Sequence, residues 1–230
     1  MPRPLVDPNS VFLNIPYDEE FDKLYLAYVV GLYQLGLVPF LASGIPGGER
    51  RLDRVLTLIR NCRYLIHDLS RVELNVASPS TPRFNMPLEL GMTIAWAKLY
   101  PKRHTWFVWE SEKYRMQHSI SDLNGADPYI HEGTVTGIFS ELQSAFVFRD
   151  APPVGEMMKA YDLIERKIGR ILATTGTPSI YSATFFKELC FISLDAVGIS
   201  RFKRLQENQG VNLQWNLKGS KRLRIADADF

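Results

Sequence analysis

The 230-residue chain has only two cysteines, Cys62 and Cys190. That is too few for a disulfide framework. Each sits in an apolar periodic context and reads as a small core residue. The four histidines show no metal-like spacing, so no metal site and no cofactor are expected. Charge of one sign is not in excess either: 27 Lys and Arg stand against 25 Asp and Glu, a net +2. Nucleic-acid binders carry a basic patch or stripe, so no such partner is expected. No apolar run reaches the length of a membrane span, which removes a membrane partner from the expectations. The start, Met1-Pro2-Arg3-Pro4, lacks the apolar core of a signal peptide, and the expected compartment is the cytoplasm. The loop Ser43-Gly44-Ile45-Pro46-Gly47-Gly48 is rich in glycine, but no Gly-Lys-Ser/Thr follows, so it is not a P-loop. Repeats and low-complexity tracts are absent.

What is there is an alternation of short apolar runs and helical patterns. Val11-Phe12-Leu13-Asn14-Ile15 reads as a buried strand. A helix follows to about Leu35 and stops at Gly36. Leu37–Leu41 is a second strand, and its Pro39 points to an edge. A helix over Glu49–Asn61 has Leu52, Val55, Leu56 and Ile59 on one face. Arg63–Asp68 is a third strand. Residues 69–85 form a long loop, and Met86–Leu99 a third helix. Thr105–Trp109 is a fourth strand, Ser111–Gly133 a polar segment, and Thr134–Ala145 a fourth helix. Phe146-Val147-Phe148 is expected as a short fifth strand. Such alternation predicts a parallel sheet of four to five strands with helices on both faces. Pro152-Pro153 marks a boundary near residue 150. Beyond it the pattern is helical only, over Met157–Ala173 and Thr184–Leu205, with a charged tail from Lys218 to Phe230. The 184–205 stretch is too apolar for a free surface helix, so it is expected against the α/β domain or across a homodimer or larger homo-oligomer.

A parallel sheet delivers every following loop to its carboxyl edge, where open α/β folds bind ligands. That edge gathers Asn14, Tyr17 and Asp18, then Asp68 and Ser70, Arg83, Asn85 and Glu89, then Glu110 and Tyr114. The segment Ser121–His131 follows, with Asp122 and Asn124. Glu89 is the leading candidate. It opens the third helix, and in the first turn the positive helix end favours a carboxylate. It is then either a nucleophile facing a pocket or a plain complement to the helix dipole. Asp68 at a strand end either serves the site or caps a loop. Asp122 and Asp127 also suit plain turns. His67 reads first as a core histidine and His131 as a surface one.

Val11-Phe12-Leu13 leading to Tyr17, then Asp68, then Leu88-Glu89-Leu90-Gly91 resemble the nucleoside 2-deoxyribosyltransferases in order and approximate spacing. TIR-type domains, some of which cleave NAD at its glycosidic bond, are similar too. The likeness spans roughly residues 11–145. Arg83 stands six residues before Glu89, where the transferases carry an Asp. The resemblance implies a flavodoxin-like fold with a helical C-terminal extension, and an N-glycosidase or N-glycosyl transferase acting on a nucleoside, nucleotide or NAD-like ligand. It implies Glu89 as the carboxylate at the anomeric carbon and Asp68 as the group handling protons or orienting the sugar. Asn14, Tyr17 and Asn124 position the sugar in that scheme. The alternative is a non-catalytic nucleotide-sensing module, in which Arg83 binds an anion, or a protein-interaction module on the same scaffold.

Overall fold

The computed structural model describes residues 6–44, 50–72, 82–176 and 179–208. The glycine-rich loop beyond Gly44, the middle of the 69–85 loop and the charged tail lie outside these. Five strands form one sheet: β1 (Asp7–Asn14), β2 (Val38–Phe40), β3 (Cys62–Asp68), β4 (Thr105–Glu110) and β5 (Tyr129–Ile130). Their order is β2-β1-β3-β4-β5, and every neighbouring pair is parallel. This is the flavodoxin-like arrangement expected from the alternating pattern. Central strands covered on both faces are apolar at consecutive positions, as Val11-Phe12-Leu13 and Tyr64-Leu65-Ile66 are. β2 pairs only with β1, so Pro39 sits on an edge strand, as its missing N–H requires.

The helices are α1 (Asp22–Gln34), α2 (Arg51–Asn61), α3 (Asn85–Leu99), the short α4 (Arg115–Ser119) and α5 (Val135–Ala145). Helix α1 is buried on all sides from Leu24 to Gln34, as a helix apolar all round must be. It lies between the sheet and helices α5, α6 (Val154–Glu165) and α8 (Ala183–Val197). Gly31 allows the close approach of α5, because a Cβ there would stand 2.5 Å from Leu142 Cδ1. Gly36, at φ 75°, turns the chain out of α1 in a conformation that glycine adopts without strain. On the other sheet face, Val55, Leu58 and Ile59 of α2 pack on Phe12 and Leu65. Met86 and Leu90 of α3 pack on Leu69 and Val108.

Several elements differ from the sequence reading. The fifth strand is Tyr129–Ile130, within the segment read as polar, and not Phe146–Phe148. Two residues are too short a run to register as periodicity. Phe146 instead packs its ring against Tyr64 and Phe107. On α2 the buried stripe is Val55, Leu58 and Ile59, while Leu52 and Leu56 are exposed. The pattern over Met157–Ala173 divides into α6 and α7 (Ile168–Thr175). Gly198, at φ 81°, ends α8, and residues 199–208 form a separate helical segment. α3 begins at Asn85, ahead of Pro87, because a proline is tolerated only in the first turn. Glu89 therefore sits in the second turn and not the first. The helix dipole acts on this carboxylate more weakly there than in the first turn.

Helix α8 packs on α1, and Phe185, Phe186 and Leu189 enter the same core as Tyr25 and Tyr28. The apolar 184–205 stretch is thus covered within one chain over part of its surface. Phe191 stays largely exposed. Among the described residues no helix is long and apolar enough to cross a membrane.

Candidate functional site

Side chains alternate across a strand, and that alternation sorts the polar residues at the carboxyl edge. Along β1, Val11 and Leu13 face the α1 core, while Phe12 faces α2. Asn14, two residues on from Phe12, shares its face. Along β3, Tyr64 and Ile66 face α1, and Leu65 faces α2. His67 follows Leu65, with its ring edge-on to Phe12 at 6.0 Å. Asp68 follows Ile66 and meets Tyr28 of α1. Asn14 and His67 are register partners, and Asn14 Nδ2 lies 2.9 Å from His67 Nδ1. This contact closes the β1/β3 boundary, the point where strand order reverses and where doubly wound folds bind ligands.

Glu89 comes from α3 to the Asn14 side of that boundary. It is 4 % exposed. Its Oε1 lies 3.7 Å from Arg51 Nε of α2. Arg51 also stands over the Tyr17 ring, 5.3 Å from its centre. Glu89 Oε2 is buried and has no hydrogen-bond partner among the described residues. Burial pushes the Glu89 carboxyl above its ordinary pKa, against the opposing pull of Arg51 and the Asn14 amide. Burial likewise raises the Tyr17 phenol, against Ser43 and Arg51. The group is a carboxylate in an electrically costly position, flanked by an amide, a guanidinium and an aromatic ring. An unpaired buried oxygen of this kind is costly and rare in a folded protein.

Asp68 belongs to a different cluster on the α1 face. Tyr28 Oη donates to its Oδ2 at 2.7 Å. The Ser70 amide and hydroxyl donate to Oδ1 at 2.9 and 2.5 Å. His131 Nε2 lies 3.2 Å from Oδ2, a contact of charge and dipole without the alignment of a full hydrogen bond. Asp68, Tyr28 and His131 have no solvent exposure. Burial alone would raise the Asp68 pKa, but His131, Ser70 and Tyr28 outweigh it and hold it below the usual carboxylate range. Each carboxylate oxygen is engaged, so this Asp is a structural hub more than an open acid. Arg115 extends the cluster by donating to the Ser70 carbonyl and pairing with Glu110.

The remaining candidates divide in the same way. Asp18 pairs with Arg83 at 2.7 Å and with Arg71 at 3.6 Å, so Arg83 is engaged by a carboxylate in this structure. Asn85 is exposed at the start of α3. Asp122 and Asn124 are exposed in the turn beyond α4. Tyr114 is exposed at φ 67°. His131, expected on the surface, is fully buried. Its signal was the Thr134 that follows, an N-cap whose backbone N–H bonds His131 O at 3.0 Å. Tyr28 was legible only as a core position, although a buried phenol needs an acceptor. Arg51 reaches Glu89 from another helix, and no local spacing announces that.

Comparison of the chain with family models, curated proteins and solved structures finds no match. The likeness to nucleoside 2-deoxyribosyltransferases therefore rests on the residues named above.

Proposed function

We propose that the protein cleaves an N-glycosidic bond of a nucleoside, nucleotide or NAD-like ligand, with Glu89 as the carboxylate at the anomeric carbon. The observation that carries this reading is the unpartnered Glu89 Oε2, buried beside Asn14 at the β1/β3 boundary. A carboxylate without a full set of partners keeps its charge for a developing oxocarbenium centre, which it stabilises. In the reaction Glu89 attacks C1′ as the C–N bond breaks, and the bonding pair leaves with the base. Water then adds at C1′ and loses a proton to solvent, and the pair of the Glu89–C1′ bond returns to the carboxylate. A second base in place of water gives transfer.

A pyridinium leaving group departs neutral and takes no proton. A purine or pyrimidine takes one, and Tyr17 is the donor that suits it, because burial keeps its phenol protonated and it feels the charge of Glu89; the phenolate left behind regains a proton from solvent. Asp68 drops out of this role, since its oxygens are engaged on the other face of the sheet. Asn14 and Arg51 orient the carboxylate. The test is a product screen of the purified chain against purine and pyrimidine nucleosides, their phosphates and NAD. Release of free base or nicotinamide supports the reading. Binding of one of these ligands with no bond cleavage favours the nucleotide-sensing alternative.

A further inference from the structure

We propose that His67 is a positioning residue for this site: it holds the Asn14 amide nitrogen toward itself, so that the second hydrogen of that nitrogen faces the Glu89 carboxylate. A carboxylate only accepts, so Asn14 meets Glu89 with its nitrogen and not its oxygen. That nitrogen carries two hydrogens, and it lies 2.9 Å from His67 Nδ1. His67 Nδ1 then accepts, and the neutral ring carries its proton on Nε2, a buried atom with no hydrogen-bond partner among the described residues. Burial pushes the His67 pKa down to about 3, so the ring stays neutral and the Nδ1 lone pair stays in place. The ring itself is held by β-sheet register and by Phe12. One nitrogen thus ties a strand-end histidine to the helix-borne carboxylate. Among the described residues, the other groups that face Glu89 are Arg51 from α2 and Tyr17 from the loop after β1.

This deepens the proposed role of Glu89 and rests on it only for the effect on turnover. The experiment has two readouts independent of activity. The ¹⁵N shifts of the His67 ring report its tautomer, and the ¹³C shift of the Glu89 carboxyl reports its titration. The parent should show a neutral Nε2–H ring between about pH 5 and 8. In His67→Leu the Glu89 midpoint should shift upward, because the Asn14 amide is no longer held. In His67→Gln, whose side-chain oxygen can accept the same hydrogen, the shift should be smaller. Where turnover is measurable, the acid limb of kcat should move with the midpoint and KM should change little. An Nδ1–H ring overturns the proposal, as does an unmoved Glu89 midpoint in His67→Leu. If His67→Leu does not fold, the parent tautomer and the His67→Gln titration decide. If no N-glycoside is turned over, the proposed function fails while the two NMR readouts still decide the role of His67.

Discussion

Two buried carboxylates, each flanked by a histidine or its amide partner, have opposite electrostatics. Asp68 has a folded pKa below the unfolded value of about 4. The stability it supplies is therefore complete above that unfolded value and drains away as pH falls through the folded one. Asp68→Asn removes the charge that gathers Tyr28, Ser70 and His131, so about 3 kcal/mol or more of stability should be lost at neutral pH. Denaturant unfolding measures the loss, and Tm against pH should show a flatter acid limb than the parent. Glu89 has its folded pKa above the unfolded value. Its ionised form costs stability at neutral pH, and the cost vanishes below the unfolded pKa, about 4. Glu89→Gln should therefore keep or raise Tm at pH 7, with the difference gone at about pH 4. A lower Tm at neutral pH would mark the Arg51 contact as a structural ion pair.

Helix α5 is fastened to the Asp68 cluster through its first turn. Thr134 Oγ1 accepts from the Gly137 N–H at 2.9 Å, and the Thr134 N–H donates to His131 O. Gly137 has no room for a side chain, because a Cβ would stand 2.0 Å from His131 O. Gly137→Ala must therefore displace the backbone that presents His131 to Asp68. The expected result is a loss of about 2 kcal/mol or more, opposite in sign to a helical Gly→Ala on an open surface, where the change stabilises. Equal or higher Tm in the variant would contradict this packing. At this scale much was legible in the sequence. The four main strands and the helices between them follow from apolar runs, a stop signal at Gly36 and a start signal at Thr134. Glu89 and Asn14 were legible as carboxyl-edge residues. What was not legible is which face each residue takes at the last position of a strand. Asp68 and His67 are adjacent in sequence, yet one faces α1 and the other α2. Only the register of the folded sheet separates Asp68 from Glu89. The same holds for His131 and Arg51, which arrive from distant segments.

The molecule as a whole is built around α1, with the sheet on one side and α5, α6 and α8 on the other. The C-terminal helices thus share a core with the sheet, although Pro152-Pro153 reads as a boundary. Phe185 is fully buried there. Phe185→Ala should cost about 3–5 kcal/mol. In a Trp215→Phe background, fluorescence of Trp96, Trp106 and Trp109 reports the sheet side, and far-UV circular dichroism reports all the helices. The two should lose stability together, in coincident transitions. Separate transitions would show that residues 151–208 unfold on their own. The shared core also ties Tyr17 to the C-terminal helices, since Tyr181 packs at 5.1 Å from the Tyr17 ring and 5.0 Å from Tyr25. The Glu89 site is therefore bordered by both halves of the chain. The most direct test compares the parent with Glu89→Gln, in base release from the best ligand of the panel and in calorimetric binding of the same ligand. Release should fall by at least about a thousandfold while affinity stays within about tenfold, because the amide keeps the shape and lacks the charge. Release undiminished in Glu89→Gln would contradict the proposed role of Glu89.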